Sequence, residues 1–152
     1  MVMGGMDNMK KGVTLLVVIL AISIMLILIS TASVIGSKSI ITANFEEYNL
    51  VLQRVSDEVN EYYVENNELP VKVETVSVEA YQEFYNYLSK YTNDTGSKFY
   101  IVDMDKINDP TIEHGRGTTA SKDVFLVAEN SHNVYYLSGF KYNKKIYYGL
   151  SN

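Results

Sequence analysis

The chain contains no cysteine, no tryptophan and only two prolines among its 152 residues. The lack of cysteine excludes disulfide bonds, thiolate metal ligands and cysteine nucleophiles. Any folded domain must therefore be held together by packing alone. A segment of about 110 residues can achieve this, because domains of that size bury well over half of their unfolded surface.

Basic side chains are scarce in the larger part of the chain. Residues 38–152 carry 11 Lys and Arg against 17 Asp and Glu, a net charge of −6. Surfaces that bind nucleic acid need an excess of basic side chains to neutralise phosphates. The composition therefore argues against a nucleic-acid partner.

Charge is absent altogether between Lys11 and Lys38, and residues 13–35 form an apolar run of 23 residues. As a helix this run would be about 35 Å long, enough to cross a hydrocarbon core of about 30 Å. Its Ser and Thr hydroxyls can bond back to helix carbonyls. Lys10 and Lys11 precede the run and favour a cytoplasmic N-terminus, with the C-terminal domain outside. A cleaved secretory signal is the alternative, although residues 31–33 match its cleavage site only loosely.

Residues 10–16, KKGVTLL, lie at the start of this run. They resemble the type IV prepilin signal, in which a short basic leader ends in Gly and an apolar helix follows at once. The resemblance implies that prepilin peptidase cleaves between Gly12 and Val13 and that Val13 becomes N-methylated. Residues 1–12 would be the leader, with Lys10 and Lys11 as its basic part.

The resemblance continues beyond the membrane segment, which we assign to residues 13–36. Apolar residues recur at steps of three and four and predict an amphipathic extension of the same helix over residues 37–69. The helix should end near Asn66 and Asn67, ahead of Pro70. The ending YYVENNELP at residues 62–70 is similar to the end of pilin long helices. The apolar stripe consists of Phe45, Tyr48, Leu52, Val55, Val59 and Tyr62.

Packing between subunits is implied by the resemblance, through the N-terminal helix and other pilin subunits. We assign Val17, Phe45, Tyr48 and Leu52 as candidate packing residues, although we expect most of the stripe to bury the helix against the chain's own sheet. Val17 stands where the family normally has Glu, five residues after the cleavage point. That carboxylate is thought to pair with the N-terminal amine of a neighbouring subunit, so its absence favours a minor pilin or pseudopilin over a major pilin.

Residues 70–152 are predicted to form the extracytoplasmic globular part. A short strand over residues 71–76 precedes a helix that starts with Ser77 as N-cap and carries Glu79 in its first turn. Four further strands are predicted at residues 98–104, 123–128, 133–137 and 145–150. The fold class is therefore α+β: a long N-terminal helix with a small antiparallel sheet packed on its outer half, as in pilins.

The candidate catalytic and metal-binding motifs are weak. His114 and His132 lie in different predicted loops, which disfavours a metal site. Residues 103–109 lack the glycine of a calcium loop, and residues 115–117, GRG, lack the Lys-Ser/Thr of a phosphate loop. Asn93 begins a glycosylation sequon that stays unassigned. We therefore predict no enzyme activity and no cofactor.

Two classes of function follow from these features. The first is a pilin-like subunit that waits in the cytoplasmic membrane and is assembled into a surface filament or a secretion or DNA-uptake pseudopilus. The second is a permanently anchored single-pass surface protein whose outer domain binds a ligand or partner. Cleavage at Gly12 distinguishes the two classes.

Overall fold

The computed structural model describes residues 5–150, with side chains described at residues 15–25 and 40–150. The chain divides into two units, Met1–Thr42 and Ala43–Asn152. Helix α1 is assigned to Gly5–Asn66 and contributes residues to both units. The continuity of a membrane half and an amphipathic half in one long helix remains a prediction.

Helix α1 ends where the sequence predicts. Its last helical residue is Asn66, and the next residue, Asn67, adopts a left-handed backbone with a φ of 54°. Asn tolerates this conformation, which closes many helices. The Asn67 N–H donates to the Tyr63 carbonyl at 2.8 Å, so the terminal turn is satisfied.

The second unit is an α+β domain with a small antiparallel sheet. This confirms the predicted α+β class and the predicted small antiparallel sheet. After α1 the elements are strand β1, a short 3-10 helix, helix α2 and five further strands. Their bounds are Val71–Val76 (β1), Val78–Ala80 (3-10 helix), Gln82–Tyr91 (α2), Phe99–Val102 (β2), Phe125–Ala128 (β3), Val134–Tyr136 (β4), Phe140–Tyr142 (β5) and Lys145–Tyr147 (β6).

Strands β1 to β4 form an antiparallel meander in chain order. Phe99 of β2 faces Ala128 of β3, and Phe125 of β3 faces Tyr136 of β4. On the outer side of β4, the Tyr136 N–H donates to the Tyr148 carbonyl at 2.7 Å. The C-terminal segment therefore shields this edge of the sheet.

The side chains of the sheet alternate between two hydrophobic layers, as the period of two in a strand requires. One layer packs on α1, and the other packs on the 3-10 helix and α2. The α1 layer consists of Leu52, Val55, Val59, Val102, Met104, Ile107, Ile112, Phe125, Val127 and Val134. The α2 layer consists of Val78, Phe84, Leu88, Phe99, Ile101, Val124, Leu126, Ala128, Tyr135, Leu137 and Tyr148. Strand β3 is buried on both faces, so its run of four apolar residues is accounted for.

The predicted strand at residues 145–150 is present in part, as β6, but its predicted place in the meander was wrong. Strand β6 instead pairs with β5 in a separate two-stranded sheet. The two strands are joined by Asn143 and Lys144, whose φ angles are 47° and 65°. Two left-handed residues in a two-residue loop are typical of a type I′ hairpin turn. This tight turn pairs β6 with β5, and the chain returns to the edge of the main sheet at Tyr148.

The start of the second helix also differs from the prediction. Ser77 precedes the 3-10 helix and makes no capping hydrogen bond with its side chain. Helix α2 begins at Gln82, after Tyr81. The 3-10 turn is favoured because it buries the side chain of Val78, which is 2% exposed.

Candidate functional site

The predicted processing residues Lys10, Lys11, Gly12 and Val13 have side chains outside the described residues. Cleavage between Gly12 and Val13, and methylation of Val13, therefore remain predictions.

An exposed apolar helix surface follows in the first unit. Its large side chains between Leu15 and Met25 are 47–67% exposed, including Val17 at 56%. The Ser23 hydroxyl donates to the Ile19 carbonyl at 2.8 Å, so its polar group is satisfied within the helix as expected. A contiguous apolar surface of this kind marks a site of contact with lipid or protein.

No helix in the part of the chain with described side chains is long and apolar enough to cross a membrane. Residues 13–14 and 26–36 of the predicted span lie outside that part. The membrane segment, its orientation and the cellular location therefore remain predictions.

Phe45 lies in a cluster of aromatic rings at the start of the second unit. Its ring stacks on Tyr142 with centroids 4.3 Å apart and planes 1° from parallel. It also contacts Phe140 at 5.8 Å and Tyr147 at 4.9 Å. We call these four residues together with Tyr48 the aromatic clasp, because they attach the β5–β6 hairpin to α1.

Tyr48 contributes a ring and a hydrogen bond to the clasp. Its ring lies 5.2 Å from that of Phe140, and its hydroxyl donates to the Tyr147 carbonyl at 2.7 Å. Burial raises the pKa of this hydroxyl well above its ordinary value of 10.0. Tyr48 is therefore a neutral structural donor at physiological pH.

Leu52 is fully buried in the α1 layer of the core. With Phe45 and Tyr48 in the clasp, these three candidate subunit-packing residues contact their own chain. The interpretation that most of the stripe packs on the chain's own sheet is confirmed. Of the four candidates, Val17 retains an exposed side chain.

A groove of about 610 Å³ opens between α1, the loop after β2 and the β5–β6 hairpin. Its floor is aromatic and its rim carries Glu47, Glu113 and His114. The lining residues are Asn44, Glu47, Tyr48, Val51, Leu52, Thr111, Glu113, His114, Phe125, Tyr136, Gly139 and Phe140. The lining contains neither Lys nor Arg, and it has no cysteine or serine nucleophile.

Asp123 holds a lining residue of this groove, Tyr136, by a hydrogen bond. Its Oδ1 atom accepts hydrogen bonds from the Gly115 N–H at 2.8 Å and from the Tyr136 hydroxyl at 2.8 Å. Burial and the adjacent carboxylate raise the pKa of Tyr136 well above 10.0. The His114 Nδ1 lies 3.9 Å from the same oxygen, too far for a hydrogen bond. The network fixes a turn and activates no nucleophile.

The two histidines do not share a site. His114 lies on the rim of the groove, whereas His132 packs edge-on against Tyr63 with centroids 4.3 Å apart. Among the described side chains, no group of three His, Asp or Glu residues is placed to hold a metal ion.

Two carboxylates of residues 103–109, those of Asp103 and Asp109, accept hydrogen bonds within local turns. Asp103 accepts from the Asp105 N–H at 3.2 Å, and Asp109 accepts from the Thr111 N–H at 2.9 Å. Ile107, at the position of a calcium ligand, is buried in the core at 6% exposure. These residues therefore form turns that anchor a loop to the core.

Gly115 has a structural role in the GRG motif. Its φ is +86°, and a Cβ atom added there would lie 2.3 Å from a ring carbon of Phe125. Only glycine fits this close approach to the core. The Arg116 Nη1 lies 3.1 Å from Asp105, so its charge is paired on the surface.

Asp94 is a charged residue buried inside the outer domain, at 4% exposure. Its Oδ2 atom accepts from the Tyr135 hydroxyl at 2.6 Å and from the Asn133 Nδ2 at 2.9 Å. Burial, with this carboxylate as a further cause, raises the pKa of Tyr135 well above 10.0. The contact links the end of α2 to β4.

Sequence reasoning missed a basic surface formed by the end of α2 and the β5–β6 hairpin, which we call the lysine–tyrosine patch. It consists of Lys90, Tyr91, Lys141, Lys144 and Lys145. The Lys145 Nζ lies 3.7 Å from the ring centroid of Tyr91, and Lys90 lies 5.2 Å from it. The alternation of aromatic residues around Asn143 and Lys144 was the signal that could have located this hairpin.

No family model, curated protein or solved structure matches this chain.

Proposed function

We propose that the chain is a type IV pilin-like subunit, either a minor pilin or a pseudopilin, processed by prepilin peptidase. The outer unit would be carried on a helix that first lies in the cytoplasmic membrane and then packs with the helices of other subunits. The product would be a surface filament or a secretion or DNA-uptake pseudopilus. The fold of the whole chain would then be pilin-like.

The observation that carries this proposal is the exposed apolar helix surface between Leu15 and Met25. Lipid covers such a surface before assembly, and neighbouring helices cover it in a filament. A basic leader ending in Gly12 precedes it in the sequence. The outer unit begins at Ala43 and has its own two-layered core.

Val17 supports a minor position in the filament. An isolated carboxylate buried in a helix bundle costs several kcal/mol unless it is paired. The family's Glu would find that partner on an adjacent chain, and Val17 needs none. A subunit at the start or tip of a filament fits this chemistry better than a repeating one.

The experiment is coexpression of the full chain with a prepilin peptidase, followed by intact-mass analysis of the membrane fraction. We expect loss of residues 1–12 and gain of one methyl group on Val13. Gly12→Leu should block cleavage and leave the apolar helix unchanged, while Gly36→Leu provides a control outside the leader. A mature protein that still begins at Met1 would contradict the proposal.

The alternative is a permanently anchored surface protein whose outer domain binds a ligand. The groove of about 610 Å³ favours it, because such a volume can accommodate a small molecule or a side chain. An uncleaved chain with a saturable ligand in this groove would support the alternative over the filament subunit.

A further inference from the structure

The outward face of α1 in the second unit is strongly acidic. It carries six carboxylates and a single basic side chain, Arg54. The carboxylates belong to Glu46, Glu47, Asp57, Glu58, Glu61 and Glu65. The two ion pairs among the described side chains are His114–Asp123 and Arg116–Asp105, so none of these six has a basic partner. The same face exposes Leu50 by 60% and Val64 by 82%.

The lysine–tyrosine patch is basic and therefore complements the acidic face of α1 in charge. Lys90, Lys141 and Lys144 are exposed, and the cations beside Tyr91 lower the pKa of its hydroxyl. None of the four lysines is in an ion pair with a described side chain. A surface with unpaired cations on an acidic domain is suited to an acidic partner.

A shallow depression beside the patch offers a place for an apolar side chain. Its volume is about 280 Å³, and its lining is Glu83, Asn86, Tyr87, Lys90, Tyr91, Ile146 and Tyr148. Lys141 pairs directly with Ile146 across the hairpin. Opposite residues of an antiparallel pair share one face, so the cation adjoins the apolar lining. Leu50 and Val64 are apolar side chains flanked by carboxylates, which is the matching arrangement.

We propose that the lysine–tyrosine patch of one copy docks on the acidic outward face of α1 in a second copy. This inference rests on the proposed filament function and supplies an interface for it between outer domains. Two acidic faces repel each other, as do two basic patches, so the contact joins unlike surfaces. In such a heterologous contact, each assembly keeps one unoccupied patch at one end and one unoccupied acidic face at the other. Further copies can therefore add to both ends and form an open chain.

The test uses the full chain in detergent micelles, with equal amounts of normal and heavy-isotope-labelled copies. A carbodiimide then links carboxylates to lysine amines that lie in contact, and mass spectrometry identifies the linked peptides. Mixed-isotope peptides report contacts between copies. We expect links from the patch lysines to residues 46–65, with a yield that falls as salt is raised.

Charge reversal supplies the decisive comparison. The patch variant is Lys141→Glu with Lys144→Glu, and the face variant is Asp57→Lys with Glu61→Lys. The yield is scored on links from Lys90 or Lys145 to the unaltered carboxylates of residues 46–65, because both variants keep these groups. Each variant alone should lose about tenfold in this yield, equivalent to about 1.4 kcal/mol, the scale expected for two exposed ion pairs. Mixing the two variants should restore the yield, because each reversed surface then meets its complement.

The control reverses two exposed lysines elsewhere, Lys72→Glu with Lys98→Glu, and should link like the unaltered chain. Failure of the mixture to recover would overturn the inference. So would a patch variant that links normally but no longer sediments with vesicles of anionic lipid, because the patch would then bind the membrane surface. Cleavage at Gly12 is scored separately, so a processed chain without this contact refutes the inference alone.

Discussion

Replacement of Leu52 by Ala tests directly whether the apolar stripe of α1 is a core element or an assembly surface. Leu52 is fully buried in the α1 layer, whereas Leu50, two residues earlier, is 60% exposed. The two leucines lie on the same helix and differ in burial. Leu50→Ala is therefore a matched control for Leu52→Ala.

The expected magnitude follows from the position of Leu52. Truncation of a buried leucine to alanine typically lowers the free energy of unfolding by about 2–5 kcal/mol, depending on how far the surrounding side chains fill the cavity. Leu52 also borders the groove, so the space left by the truncation can open to solvent. We therefore expect the lower part of the range, about 2–3 kcal/mol. Leu50→Ala should change stability by less than about 0.5 kcal/mol.

The assay is urea denaturation of the full chain in detergent, followed by the fluorescence of its tyrosines. With a slope of about 1–3 kcal/mol per molar urea, Leu52→Ala should lower the midpoint by about 0.7–3 M. Equal midpoints for the two variants would refute the packing of α1 on the sheet. Loss of linked product with Leu52→Ala at unchanged stability would instead assign Leu52 to a contact between subunits.

Three further predictions follow from the outer domain. A chain that begins at Ala43 should be soluble and melt cooperatively. A chain that begins at Val71 should not fold, because it lacks the residues of α1 that pack on the sheet. Similar melting curves of the two chains by circular dichroism would contradict this prediction. Gly115→Ala should destabilise the folded domain by more than about 1 kcal/mol, because the φ of Gly115 is +86° and the new Cβ would lie 2.3 Å from a ring carbon of Phe125. Gly96→Ala is the control in the same urea assay and should be near neutral, because there is open space around Gly96. The raised pKa of Tyr135 means that folding favours the neutral hydroxyl, so its contribution to stability is complete below pH 10 and is lost as pH rises beyond that value. In the folded protein, the phenolate absorbance that Tyr135→Phe removes should appear above pH 10, and an increment already half developed at pH 10 would disagree.

The spacing of apolar residues in the sequence predicted those elements of the fold that neighbouring residues determine. The stripe from Leu52 to Val59 is spaced for a helix, and Asn67 ahead of Pro70 marks its end. Strand β1 alternates and was predicted with its observed bounds. These features depend on neighbours in sequence, which a single sequence contains.

The remaining features depend on contacts between distant residues. The β5–β6 hairpin stands apart from the main sheet because Phe45, about 100 residues earlier in the sequence, stacks on Tyr142. Ser77 has the chemistry of an N-cap, but burial of Val78 favours a 3-10 turn instead. The basic patch combines α2 with the hairpin, so no linear motif reveals it.

The hydrogen bond from Tyr136 to Tyr148 also decides which side of the outer domain is vulnerable to strand exchange. A sheet edge with free amides can recruit a strand from another molecule. At β4 the chain occupies that position with its own segment, in which Tyr148 is 5% exposed. Proteolysis after Tyr147 would remove this internal competitor and expose the Tyr136 amide. The segment around Tyr148 thus disfavours domain swapping and aggregation, because it occupies the edge of β4.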